Sequence, residues 1–385
     1  MPSWESLVEP FLRPPGQGIP TFSAGKGAGA ALLEAYAEAL VEDAPRKAAK
    51  IEKLWRETLT DEALSGASVV LLGIPLDTGA GIRRGAAYGP RGVREALLGL
   101  EEYCGWLRSG ALIDLGDLFV NPHLLSDEML SAAQIEAAQI EMYRETDAEL
   151  RQRLPVAALS QASLLLKALL TAHPHLRVFV IGGDHSVAWP LTEALADRHG
   201  TKTLGIVQPD AHTDLLASRL GVRICFGTWS FHANELLGRG GKLVQLGIRQ
   251  SGKDQAHWEG TLGVKQYWAS EILDRIHHGQ TEALIDEIIA GLKRAGVEKL
   301  YFSNDIDGTD ERWASATGTP APDGLPPEFL LRVIERLAAE FEWVGADLVE
   351  VAPVLGTVEQ EEETCRVAAD YARAQIRALL ESGSE

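Results

Sequence analysis

The chain has 385 residues, 45% hydrophobic and 24% charged, and a formal charge of −19. That length suits one large α/β domain or two ordinary ones, and a core of this size folds without disulfide or metal staples. The acidic balance argues against nucleic acid, whose phosphates demand a basic face, and against anionic membrane surfaces; it suits a cationic ligand weakly, and solubility is the plainer account of it. Cys104, Cys225 and Cys365 are too far apart for a CxxC pair or a disulfide framework, so a reducing compartment is expected. No basic start followed by an apolar run marks a signal peptide, and no window of about 20 uncharged apolar residues marks a membrane span. A cytoplasmic location is the expectation.

Residues 1 to about 24 are rich in Pro and Gly and read as irregular; "GKGAGA" (25–30) reads as a glycine-rich entry to a helix. Helical periodicity follows, broken near Pro45, so residues 1–65 read as an N-terminal helical extension. From residue 66 to 385, short apolar runs alternate with helical stretches: 68–76, 111–118, 177–186, 203–212, 242–250, 264–272, 299–307 and 343–353. Continuous apolar strands alternating with helices predict a parallel sheet covered on both faces. The expected fold is therefore a three-layer α/β/α domain with a mostly parallel sheet of roughly eight strands. Segment 120–150 reads as an insertion or helix without evident chemistry.

In open α/β sheets, ligands bind beyond the carboxyl ends of the strands. Four of the eight runs end in acidic or imidazole side chains: Asp184 and His185; Asp210, His212 and Asp214; Asp305, Asp307 and Asp310; and Glu350. Spacing of i and i+2 in an extended chain puts side chains on one face, so Asp210 pairs with His212 and Asp305 with Asp307. Carboxylates crowded at neighbouring strand ends repel unless some stay protonated or a cation sits among them. Four carboxylates and two imidazoles (His185, Asp210, His212, Asp214, Asp305, Asp307) exceed one tetrahedral zinc and suit two divalent metals. Oxygen-rich donors favour manganese or magnesium, and the imidazoles leave nickel, iron or cobalt open. Taken singly, each of these Asp residues could equally be a loop acid or a helix cap.

At these residues the sequence resembles the ureohydrolases, the arginase–agmatinase family. The family motifs GGDHS, DAHxD and SxDxDxxDP stand here as "GGDHS" (182–186), "DAHTD" (210–214) and "SNDIDGTDE" (303–311). Supporting stretches at 73–97, 114–118, 316–325 and 347–353 follow in the right order. The resemblance implies one metal on His185, Asp210, Asp214 and Asp305, and another on His212, Asp210, Asp305 and Asp307. Asp210 and Asp305 would bridge, and manganese would be the metal, with nickel or cobalt as alternatives. It implies hydrolysis of a guanidino group to urea and an amine by water activated between the two cations. Asp307 would orient that water and pass a proton to the leaving amine, and Glu350 would pair with the guanidinium. Asp310 would support the site from behind, although Glu311 stands where the family has proline. A homo-oligomer, trimer or hexamer, is implied as well.

One departure bears on substrate. Over Gly227 and Thr228, Phe226 falls where agmatinases and arginases carry a histidine. Phenylalanine neither moves a proton nor holds a charge. His232, six residues on, is the candidate replacement, and Trp229 and Phe231 line a pocket for an apolar tail or pack in the core. The loop after DAHTD is largely apolar, with Leu215, Leu216 and Leu220, although Arg219 and Arg223 are within reach of a carboxylate. Free L-arginine is therefore not the expected substrate. Two alternatives stand beside a guanidino hydrolase: a formimino or other amidine C–N hydrolase, and a metal-binding pseudoenzyme that recognises a guanidinium ligand.

Overall fold

Each of the eight apolar runs contains a strand, in a computed structural model that describes residues 2–19, 28–81 and 83–382. The strands are β2 (Val69–Ile74), β3 (Leu112–Leu118), β4 (Arg177–Gly182), β5 (Leu204–Pro209), β6 (Leu243–Ile248), β7 (Lys265–Trp268), β8 (Lys299–Asp305) and β9 (Glu342–Val349). A two-residue strand near the N-terminus, β1 (Leu12–Arg13), makes a ninth. The sheet order is β1-β3-β2-β4-β9-β8-β5-β6-β7, and only the β1–β3 pair is antiparallel. Every residue of β2, β3, β5 and β6 is buried, as sequences such as VVLLGI demand of strands covered on both faces.

Two helix groups provide the cover. One packs Gly89–Leu97, Pro327–Ala338 and Val358–Glu381 together; the other packs Ala158–Ala172, Ala188–His199 and Trp229–Leu237. The second half of the 264–272 run turns helical at Ala269. Segment 120–150 holds helices Ala132–Met142 and Ala148–Arg151.

The start of the chain is more ordered than its Pro and Gly content predicts. Trp4–Phe11 is a helix with Pro10 inside it. Trp4, Leu7 and Phe11 recur at helical spacing, and all three are buried in the same core as the sheet. β1 then pairs with β3, Leu12 opposite Leu118 and Arg13 opposite Asp117, which blunts an edge that would otherwise present unpaired backbone groups. Helix Ala28–Leu40 begins within the GKGAGA stretch, of which 25–27 lie outside the described residues. Trp55, on helix Ala48–Glu57, donates from its indole N–H to the Asp114 carbonyl at 3.2 Å.

Beneath this edge lies a buried ionic triad. Arg94 donates from Nε and Nη2 to the two Asp114 oxygens at 2.8 and 2.9 Å, and from Nη1 to Asp117 Oδ1 at 2.5 Å. Its Nη2 also reaches the Gly116 carbonyl at 2.9 Å, and all three ionised side chains are inaccessible to solvent. The bidentate fork explains why arginine rather than lysine suits this position.

Two glycines let the central strand ends converge. A Cβ at Gly183 would lie 1.8 Å from the Leu76 carbonyl oxygen, and one at Gly308 would lie 2.7 Å from the Asp210 nitrogen. The carboxyl ends of the adjacent strands β4, β9, β8 and β5 consequently meet at one place.

Candidate metal centre

β4 delivers His185, β5 delivers Asp210, His212 and Asp214, β8 delivers Asp305 and Asp307, and β9 delivers Glu350. The structure brings five of the six expected donors together in two linked groups, and the sixth, Asp305, joins them through His185. Asp210 belongs to both: His185, Asp210 and Asp214 form one set, and Asp210, His212 and Asp307 the other.

The geometry around His185 is that of a coordination shell. Its Nδ1 faces Asp305 Oδ2 at 3.1 Å, Asp214 Oδ2 at 3.2 Å and Asp210 Oδ2 at 3.3 Å. Yet this buried nitrogen is aligned for a hydrogen bond to none of them. Donors about 2.1 Å from a common ion stand about 3.0–3.4 Å from one another, so the spacing and the misalignment both fit a metal between them. On the other side, His212 Nδ1 lies 3.1 Å from Asp307 Oδ2 and 3.5 Å from Asp210 Oδ1.

Each donor is held from behind. His185 Nε2 meets Ser303 Oγ at 3.0 Å, and Ser303 donates in turn to Asp347 at 3.0 Å, with Tyr301 donating to the same carboxylate. That relay places a proton on Nε2 and leaves the Nδ1 lone pair free for a cation. Asp210 accepts from Gln208 Nε2 at 2.7 Å, the first rung of a ladder through Gln245 and Gln266 on β5, β6 and β7. Asp214 accepts from the Trp229 indole at 3.1 Å, and Asp307 accepts from the Ala211 N–H at 3.1 Å and from Thr319 Oγ1 at 2.8 Å. Arg249, just past β6, donates to six backbone carbonyls, among them those of Asp307 at 2.7 Å and Ala321 at 2.9 Å. Its guanidinium thereby fixes the turn that carries Asp307.

Sequence reading overlooked Ser303, Asp347, Gln208 and Arg249. Ser303 and Tyr301 precede Asp305 at two-residue intervals on β8, and Gln208 precedes Asp210 on β5, so the same-face periodicity held a signal for these three. Nothing local marks Arg249.

Protons and buried charges show what the cluster lacks without metal. Burial opposes a charged His185, yet the facing carboxylates of Asp210, Asp214 and Asp305 outweigh it and push its pKa well above normal. His212 is likewise penalised by burial but raised to about 12, chiefly by Asp307 and Asp210. Burial, reinforced by Asp210, lifts Asp214 to about 6. Burial, with Asp307 and Asp210 adding repulsion, holds Asp305 well above the carboxylate range. Imidazolium and carboxylic-acid protons thus offset a charge conflict that divalent cations resolve directly.

Glu350 stands beside the cluster. Its Oε1 accepts from the His185 N–H at 2.9 Å, and burial together with Asp305 and Asp184 raises its pKa well above the usual carboxylate range. Its backbone sits at φ +62°, a left-handed conformation unfavourable for a residue with a long side chain, and Asp214 is at φ +51°. Both are pinned by surrounding hydrogen bonds, Glu350 N–H to the Gly183 carbonyl at 2.8 Å among them.

The remaining expected residues fall outside the donor groups. Trp229 is fully buried with its ring centroid 4.6 Å from that of His185, a wall of the cluster rather than of a tail pocket. His232 meets the Ala217 carbonyl at 3.1 Å and packs on Trp189 and Phe231, which ties it to the loop and not to the donors. Phe226 is half-buried beneath the Arg219 guanidinium, 4.8 Å from its ring centroid. Asp310 accepts from the Gly324 N–H at 2.9 Å and pairs with Arg312 at 2.7 Å.

The fold and the cluster together define an α/β domain whose strand ends carry a His/Asp site suited to divalent metal. A model of the arginase family matches residues 67–376. The chain is 29% identical over 304 residues to the guanidinobutyrase of Pseudomonas aeruginosa, covering 76% of this chain and 82% of that one. It is 30% identical over 302 residues to the mitochondrial agmatinase of Gallus gallus, covering 75% of each. The solved structure of proclavaminate amidinohydrolase from Streptomyces clavuligerus superimposes with a TM-score of 0.61 at 26% identity, over 82% of this chain and 93% of that one. The chain belongs to the arginase family.

Proposed function

We propose that the protein hydrolyses a guanidino compound other than free L-arginine to urea and an amine, with two divalent cations, manganese in the first instance. The observation that carries this reading is the His185 nitrogen facing three carboxylate oxygens at 3.1–3.3 Å without a hydrogen bond to any of them. His185, Asp210, Asp214 and Asp305 would hold one cation, and His212, Asp210, Asp305 and Asp307 the other, with Asp210 and Asp305 shared. Bound cations lower the pKa of water enough to supply a nucleophile at neutral pH. Glu350 receives the guanidinium, for which a carboxylate is the natural planar partner. Asp307, fixed by Ala211 and Thr319, takes the proton released as the C–O bond forms. It returns that proton to the amine as the C–N bond breaks. Three buried, unpaired cysteines suit a cytoplasmic enzyme, and among the described residues no helix is long and apolar enough to cross a membrane. A homo-oligomer, trimer or hexamer, completes the proposal.

The test is product analysis. Full-length protein loaded with manganese, nickel or cobalt is offered agmatine, arginine, guanidinobutyrate, guanidinopropionate and formiminoglutamate. Urea from a guanidino substrate supports the reading. Phe226, in place of a histidine, keeps the formimino alternative in view, and formamide release from formiminoglutamate without urea from any guanidino substrate would establish it. Neither product with any metal would leave a binding role.

Glu350→Gln keeps the shape of the side chain and removes its charge. We expect kcat/KM to fall by about 10–100-fold, the loss of a charge-assisted hydrogen-bond pair. Bound metal, read by elemental analysis, is expected to stay unchanged; its loss would assign Glu350 to the donor set instead.

Metal and protons compete for the same donors. Asp214, raised from 3.8 to about 6, contributes fully to metal-free stability below about pH 4 and loses that contribution as pH rises through 6. The protonated His212, raised from 6.5 to about 12, contributes fully below about 6.5 and loses its contribution toward 12. Metal requires the deprotonated donors, so its effect has the opposite sign. The melting-temperature gap between metal-loaded and chelator-treated protein is expected to widen from about pH 5 to about pH 8. A gap independent of pH would contradict the proposed donor set.

A further inference from the structure

The floor of the site is acidic, but its rim is not. The chain has 55 acidic and 36 basic residues, yet segments 78–94 and 215–234, which follow β2 and β5, contain no Asp or Glu. They carry Arg83, Arg84, Arg91, Arg94, Arg219 and Arg223 instead. Three of these are already committed: Arg94 to its buried triad, Arg91 to Glu95 at 2.8 Å, and Arg223 to Glu128 at 2.8 Å. Arg84 feels Asp77. Arg219 is exposed, its guanidinium carbon sits over the Phe226 ring 4.8 Å from the centroid, and it is in no ion pair among the described residues.

Contacts along the loop after β2 locate that stack. The Gly79 N–H donates to Asp184 Oδ2 at 2.9 Å, beside His185. Two residues on, a Cβ at Gly81 would touch the Phe226 ring at 3.8 Å. Two residues further, the Arg83 carbonyl and Glu350 Oε2 would lie 3.2 and 3.7 Å from a Cβ at Gly318. A dipeptide spans at most about 7 Å, so the loop after β2 links Phe226 and Glu350 along one side of the donor cluster. The ring supports the guanidinium from below and keeps water off one of its faces.

We infer that Arg219, propped on Phe226, selects guanidino substrates whose far end is a carboxylate over those ending in an amine. This rests on the guanidino-hydrolase reading and adds the substrate class. A guanidino acid is a dipole with the matching sense: its cationic head meets Glu350 and its carboxylate meets the planar fork of Arg219, which binds carboxylates through two parallel hydrogen bonds. A terminal ammonium at the same place would face a like charge, with no acid on either loop to offset it. Phe226 thus replaces a proton-carrying ring with a platform for a cation.

The manganese-loaded full-length chain is assayed for urea from 4-guanidinobutyrate, 3-guanidinopropionate and agmatine. We expect kcat/KM for the better guanidino acid to exceed that for agmatine by on the order of tenfold, the scale of a partly exposed charge pair. Arg219→Glu is expected to lower the guanidino-acid value on the order of tenfold through KM, with kcat little changed, and to raise the agmatine value. Arg219→Lys restores part of the preference as a charge without the fork. A wild-type preference for agmatine, or an Arg219→Glu change that scales all substrates alike, overturns the inference and leaves the guanidino-hydrolase reading standing. Urea from no substrate overturns both.

Discussion

Asparagine in place of Asp210 is expected to lower urea release by on the order of 10³-fold and to reduce bound metal below two ions per chain. Asp210 is the hinge of the cluster: its Oδ2 lies 3.3 Å from His185 Nδ1 and its Oδ1 lies 3.5 Å from His212 Nδ1. Gln208 and the His212 N–H already bind these oxygens at 2.7 and 2.6 Å, so the side chain is oriented before any cation arrives. An amide keeps the shape but loses the charge that both proposed ions share, and its NH₂ would point at a donor or a cation. Metal content by elemental analysis, activity, and circular dichroism of the same sample together check the prediction. The metal-free variant is expected to fold normally, because removing one of several crowded carboxylates relieves repulsion. Full activity with two ions bound would remove Asp210 from the centre of the site.

Arg94→Met is expected to destabilise the fold by about 3–5 kcal/mol, the usual cost of leaving buried charge without its partner. Both Asp114 and Asp117 would be stranded, and burial already pushes the Asp114 pKa upward despite Arg94. The midpoint of chemical denaturation measures the loss. Changing all three residues to apolar ones of similar volume should recover most of it, since the pair and not the charge is what the interior tolerates. If Arg94→Met alone leaves the midpoint unmoved, the triad is already relaxed by water.

How much of this was readable from residues alone differs by scale. The strands were legible because each is a buried apolar run bounded by turn or helix signals, and VVLLGI or RVFVIG has few other uses. The helix Trp4–Phe11 was hidden by the prolines and glycines around it, although its Trp4, Leu7 and Phe11 spacing was present. β1 is too short for any periodicity. The convergence of the carboxylates and imidazoles was legible because strand ends in a parallel sheet share one edge. The orientation of Trp229 and His232 was not, since both depend on how the loop from Leu215 to Thr228 folds over itself. The contact between Ser303 and His185 joins residues 118 positions apart, and the six carbonyls gathered by Arg249 belong to its own strand end and to the loops after β8. Long-range pairing of this kind leaves only a parity signal in the chain.

The left-handed backbone of Glu350 carries a consequence for engineering. A library screened for heat resistance alone would reward Glu350→Gly, because glycine accepts that torsion freely and removes a buried acid. The survivors would be tougher and inert. Selection for durability in this scaffold therefore has to be coupled to turnover at every round, or it will drift toward silence at the position proposed to receive the substrate.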